Sequence, residues 1–411
     1  MTDKYETRSS AWRRCRNATA LLFLLTVGGA RGGAGQAIPL LSRDVKELET
    51  LARTDSNDAE MQFYLALGNW KRHRWQQADS LLRLAVQLEP RFAEAYLALY
   101  YLPFARRPSL YRDEERGRVP EAWRPAVDEA YRFYQRAFRT DPLVSLRVMA
   151  VAFEIEEPRF TDYTSEEFLI YERYYAWLFD LGLGRYRSAH ERLTRLAQRL
   201  WDEGKHPDKV PDYILWYRGL AAAHSLRYAP AIADFQSLLD RARKQEQKDE
   251  IVHVPLRINE YRFMLAALHH VAGHADSAIA LYQEALANDL GLVMAHEYLA
   301  GIYEAAGKPD SALAERRRGA EAGVDDPSAQ FDFAAALFNL QRTADAEEPA
   351  RRAVELNPRY APPHYLLGRV AEELGRSAEA REHYTRFLAT ASQKLAPLAA
   401  DATTRLAALR P

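Results

Sequence analysis

Cysteine is almost missing from this chain. Cys15 is the only one among 411 residues, and it lies in a basic leader, before the apolar run. If that leader is removed, the rest can form no disulfide, no thiolate–zinc site and no cysteine nucleophile. Glycine (19) and proline (20) are too scarce for a fibrous or low-complexity chain. An excess of one charge is also absent. The formal net charge is -1, which gives no electrostatic basis for binding nucleic acid. No GxSxG and no P-loop occurs, and the glycine-rich GGARGGAG does not sit between a strand and a helix. No apolar run reaches the ~20 residues of a membrane span. What remains is 48% hydrophobic and 27% charged, dominated by Ala, Leu, Arg and Glu with few β-branched residues, a balance that favours helix throughout.

The first 37 residues stand apart. Lys4, Arg8, Arg13, Arg14 and Arg16 precede the short apolar run ATALLFLLTVGGA, and small residues continue to Ala37. A basic head, a short apolar stretch and a small-residue exit read as an export signal peptide. The expected mature chain is therefore exported, periplasmic or secreted, with no stable membrane span after cleavage. Removing residues 1–37 takes away six Lys/Arg and two Asp/Glu, leaving a mildly acidic remainder.

Histidine offers the one hint of metal chemistry. HHVAGHADSAIALYQEA, from His269, puts His270 and His274 four apart, as on one face of a zinc-binding helix. Val271 stands where a zinc hydrolase needs its glutamate, and Gly273-His274 reads as a turn, so the spacing loses its helical meaning. The acidic stretch with Glu154, Glu156, Glu157, Glu166 and Glu167 lacks EF-hand spacing. The sequence thus calls for no catalytic residue, metal or cofactor.

The organising signal is a period. Ala278, Ala312, Ala346 and Ala380 fall 34 residues apart, each early in an expected helix. Leu299-Ala300, Tyr303 and Gly307 precede Ala312. Ala353 and Pro358 close the next unit, and Leu367-Gly368, Ala380, Tyr384 and Phe387 mark the last. This pattern resembles the tetratricopeptide repeat (TPR). Earlier units fit with interruptions, through Leu65-Ala66, Ala78, Ala85 and Pro90, then Ala130, Tyr134, Ala137 and Pro142, then Gly184, Tyr186 and Ala189, then Gly219, Ala231 and Phe235. The resemblance implies an all-α fold, a right-handed α-solenoid of antiparallel helix pairs with about eight units. The expected divisions are a capping helix in 38–58, irregular units over 59–258 with inserts at 103–125 and 143–165, four regular 34-residue units over 259–390, and a closing helix in 391–411. The proline-rich insert 103–125 reads as a projecting loop, mobile or folded over the concave face.

The resemblance also implies a concave groove lined from the fifth residue of each unit. Those places hold Phe63, Leu97, Tyr174, Trp216, Phe263, Glu297, Phe331 and Tyr365, with Trp70, His270 and Phe338 seven residues further along the same face, and Arg369 and Glu372 nearby. Lined this way, the groove suits a protein or peptide partner with apolar anchors. The rings are then partly exposed in the free protein; the alternative is that they pack as core between units. The expected function is a non-enzymatic scaffold in assembly, secretion or envelope-complex organisation. A second reading, an accessory subunit binding glycan, would stack sugars on the rings with Glu297, Glu304, Arg369 and Glu372 at the rim. A third places enzymatic chemistry in the inserts.

Overall fold

The computed structural model describes residues 45–110, 113, 117–152, 176–202, 210–246 and 255–409. The leader, Tyr174, the acidic stretch 154–167 and the later part of the 143–165 insert lie outside them. Among the described residues every regular element is helical. Two compact units are formed: an N-terminal one over Ile38–Ala322, and a C-terminal one that includes Gly323–Pro411. The division falls inside the stretch that the 34-residue period marks as one regular block.

In the N-terminal unit a lone helix α1 (Val45–Thr54) precedes the pair α2 (Ala59–Lys71) and α3 (Trp75–Leu88). Then come α4 (Ala93–Arg106), α5 (Arg124–Thr140), the short α6 (Val148–Ala152) and α7 (Ala176–Gly182). The pairs continue through α8 (Tyr186–Asp202), α9 (Asp212–His224), α10 (Tyr228–Glu246), α11 (Pro255–Val271), α12 (Ala275–Asn288), α13 (Val293–Ala305) and α14 (Pro309–Ala322). The C-terminal unit holds α15 (Pro327–Asn339), α16 (Thr343–Leu356), α17 (Ala361–Glu373), α18 (Ser377–Thr390) and a final α19 (Ala396–Ala408). Within each unit most successive helices pack on one another, most closely within each pair.

Small residues make this packing possible. Ala278, Ala312, Ala346 and Ala380 are buried. At Gly368 an added Cβ would lie 2.6 Å from the Tyr384 ring, and at Gly219 it would lie 2.7 Å from Phe235. The small residue of the first helix therefore receives the ring of the second, and the recurrent Gly/Ala and aromatic positions of the sequence are two halves of one contact. Each tight turn between paired helices also puts one residue at positive φ: His73, Gly184, Leu226, Gly273, Gly307, Gln341 and Gly375. Positions 273, 307, 341 and 375 repeat the 34-residue period. Side-chain caps are few. Asp58 accepts from the N–H groups of Glu60 and Met61, and Asp326 from those of Ser328 and Ala329.

The insert 103–125 departs from the projecting loop expected of it. Helix α4 runs through Pro103 to Arg106. Phe104 and Leu110 are buried in a cluster with Val127 and Ala130, against which Val119 and Trp123 pack. Arg106 and Arg107 lie over the Trp123 ring. Apolar residues between the prolines, which a charge count does not weigh, anchor the segment to α5.

Candidate functional site

The first helices of the pairs carry the groove positions expected from the sequence, and burial divides them. Phe63, Trp70, Phe263, Phe331, Phe338 and Tyr365 are only 1–3% exposed, which corrects the expectation of partly exposed rings. Leu97 is buried too. The reason is packing between neighbours. The Phe63 ring meets Phe92 at 5.0 Å, and Phe263 lies 6.0 Å from Tyr282 and 6.1 Å from Tyr298. Phe331 meets Tyr360 at 5.7 Å, and Tyr365 meets Phe387 at 5.3 Å. An aromatic at the fifth position thus reaches its own second helix or the start of the next pair, filling space the small residues leave.

Four groove residues remain half-buried: Trp216, His270, Glu297 and Arg369. Trp216 packs against Phe138, Phe235 and Tyr261. His270 stands edge-on to Tyr282 and Tyr298. Glu297 accepts from Arg316 Nη1 at 2.9 Å, and the same buried guanidinium reaches both Glu304 oxygens at 3.0 and 3.1 Å. Arg316 comes from the paired second helix, so these two carboxylates tie α13 to α14. His274 stands just after the positive-φ turn at Gly273, with its Nδ1 3.2 Å from that of His269. Among the described residues no group of three or more candidate metal-ligating side chains occurs.

In the C-terminal unit the polar groups converge under α19. Glu372 Oε2 accepts from the Tyr384 hydroxyl at 2.6 Å and from Arg405 Nη1 at 3.0 Å. Asp401 Oδ2 accepts from the Tyr365 hydroxyl and Arg405 Nε, both at 2.6 Å. Burial pushes the Asp401 carboxyl up, but Tyr365 and Arg405 outweigh it and hold it below the usual carboxylate range. Burial, and Glu372 beside it, push the Tyr384 phenol up. Next to this set, Arg369 lies 5.3 Å over the Phe338 ring, and its Nη2 reaches Glu373 Oε1 at 3.4 Å. Arg369 Nε and Nη1 are buried without a hydrogen-bond partner, as is Asn339 Oδ1 at the end of α15. Arg316, Tyr384, Asp401 and Arg405 were not singled out as polar partners in the sequence reading. Apart from Arg405–Asp401, their contacts join positions 12 to 36 residues apart, a spacing that one helical period does not display.

In the N-terminal unit several first helices are covered by the chain itself. The end of α5 brings Phe138 to 5.9 Å from Trp216 and Arg139 Nη2 to 2.7 Å from Asp289 Oδ2. Beyond it, Val144, Leu146, Val148, Met149 and Val151 are buried. The Ser145 and Tyr186 hydroxyls are 2.7 Å apart, and Ser145 also hydrogen-bonds Glu94. Burial raises the Glu94 carboxyl despite that bond and the nearby Arg147. The His224 ring stacks on Tyr186 at 4.4 Å. Burial takes its pKa down to about 4, against the opposing pull of the Val144 and Leu143 carbonyls that it meets.

No family model and no curated protein matches the chain. Solved structures are similar to parts of the chain at low identity. One is the C-terminal part of a TPR repeat-containing protein from Cytophaga hutchinsonii, 15% identical, covering 57% of this chain and 95% of that one, with a TM-score of 0.42. YrrB, described as a TPR protein with an unusual peptide-binding site, is 17% identical, covering 50% and 97%, with a TM-score of 0.36. MamA of AMB-1 is 23% identical, covering 45% and 96%, with a TM-score of 0.33. The 34-residue period, the helix pairs that follow it and the small-residue-to-ring contacts within them make the chain an all-α array of helix-pair repeats of the kind that tetratricopeptide repeats build.

Proposed function

We propose that this chain is a non-enzymatic, exported TPR scaffold, periplasmic or secreted, that binds a protein or peptide partner on the inner face of its first helices. Arg369 carries this reading. It is a half-buried cation over an aromatic ring, with two buried nitrogens that make no well-aligned hydrogen bond, although the Tyr365 hydroxyl lies within reach of its side chain. An unmet donor of this kind carries a desolvation cost that an incoming carbonyl or carboxylate would relieve. Asn339 Oδ1, also without a partner, offers an acceptor on the preceding first helix. Peptide groups supply both complements, an N–H and a C=O. The glycan reading needs exposed ring faces. The burial of Phe63, Phe263, Phe331 and Tyr365 removes those faces from the ladder, so nothing among the described residues favours it.

The test is selection of peptides from a displayed library on the full chain and on Arg369→Gln. The expected result is a set of enriched peptides that bind the wild type at least tenfold more tightly than the variant, with melting unchanged. Peptides that bind both proteins equally, or no enrichment at all, would overturn the assignment of this site.

A further inference from the structure

The segment from Asp141 to Ala152 links α5 to the elements that follow, yet it is held as a ligand would be held. Residues 144–146 carry no regular secondary structure, and α6 follows from Val148. Val144 and Leu146 are buried while Ser145 and Arg147 between and after them are half-buried, the alternation expected of an extended peptide with one face in a groove. Most of its polar groups face a partner. Ser145 is held between Tyr186 and Glu94, and the Leu143 and Val144 carbonyls lie toward the His224 ring, while Arg147 Nε is buried and donates no hydrogen bond. Arg147 sits close enough to Glu94, Tyr64 and Tyr186 to act on the charge of each. At Gly184 an added Cβ would come within 3.2 Å of Arg147 Nε. Helix α6 then packs on α4, α7 and α2. The recognising groups come from α2, α4, α8 and α9, all from repeat helices, and Tyr64, Glu94 and His224 lie on first helices.

We infer that the inner face of the N-terminal unit is a peptide-binding surface occupied in cis by the strap Asp141–Ala152, and that it fits a partner presenting an extended apolar–Ser–apolar–Arg segment in the strap's place. Tyr186, His224 and Glu94 select that chemistry: a hydroxyl between a phenol and a carboxylate, carbonyls toward an imidazole, and a cation beside an acid. This surface is separate from the Arg369 site, and each proposal stands or falls without the other.

A labelled synthetic peptide, DPLVSLRVMAVA, tests this against the full chain. Val144→Ala with Leu146→Ala loosens the strap in cis. The loosened protein should bind the peptide at least tenfold more tightly than the wild type, and the same peptide carrying Arg147→Glu should lose that gain. Equal, weak binding to both proteins at unchanged helicity would overturn the inference, as would a concentration-dependent dimer that exchanges straps. Should the double variant lose helicity, hydrogen exchange on the wild type decides. Strap amides that exchange well before those of α9 support a displaceable ligand, and strap amides that exchange only with global unfolding show a core element and overturn it.

Discussion

The residue at positive φ in each tight turn is glycine in four repeats but His73, Leu226 and Gln341 in three. A side chain there carries a steric cost of about 1–2 kcal/mol that glycine does not. Leu226 is also 74% exposed, so its side chain gains little from packing. Leu226→Gly is expected to raise stability by about 0.5–1 kcal/mol after the unfolded-state entropy of glycine is set against the relieved strain; a lower urea midpoint for the variant would contradict this. A second residue-scale consequence concerns acid. His364 and His383 are buried with their Nδ1 atoms 3.4 Å apart. Burial, then the neighbouring His383, takes His364 down to about 4, and burial also lowers His383. Glu379, Glu382, Arg351, Arg386 and the Pro358 carbonyl complete the charged and polar surroundings. Both rings bind protons more readily unfolded than folded, so folding stability is full above the ordinary histidine value of ~6.5 and falls as pH drops toward 4. Urea unfolding at pH 7 and pH 5 should show a loss of at least about 2 kcal/mol in the wild type, and His364→Gln should reduce that loss without abolishing it, because His224 contributes in the same direction.

At the scale of elements, periodicity made the helix pairs legible. Ala278 to Ala380 fixed the register, and the helices over 255–390 follow it. Repetition says which residues face a neighbour, but not how much of each neighbour arrives. The fifth-position rings share one face in the sequence whether they line a groove or fill it. Only the adjacent Phe92, Tyr298, Tyr360 and Phe387, which close over them, decide. The inserts were hidden for another reason: they obey no period, and their apolar residues are interleaved with charge. Leu110 is fully buried at the centre of such an interruption. Leu110→Ala should cost about 2–4 kcal/mol, and deleting Arg106 to Pro120 should lower the melting temperature; a deletion mutant that melts like the wild type would restore the loop reading. For the Arg369 site, sequence pointed to the arginine and to Glu372 but not to Asp401 and Arg405, whose helix α19 follows the last regular pair.

For the whole molecule, the proposed export sets a testable boundary. Residues 1 to about 37 form no part of the repeat frame, and no helix among the described residues is long and apolar enough to cross a membrane. Intact mass of the protein from its native host should correspond to a chain beginning near residue 38, and a chain that still starts at Met1 or Thr2 would sink cleavage. Within the N-terminal unit, the Arg139–Asp289 pair joins residues 150 apart. That closure also governs the order in which the unit can mature. During synthesis the strap's Val144 and Leu146 leave the ribosome long before Asp289 exists. For that interval the first pairs lack the later helices that complete their surroundings, and apolar surface stays open to other chains. Contacts this distant along the chain form slowly. A nascent chain that cannot close early also stays unfolded for longer, which suits the export proposed above, since a translocated polypeptide must be threaded before it folds.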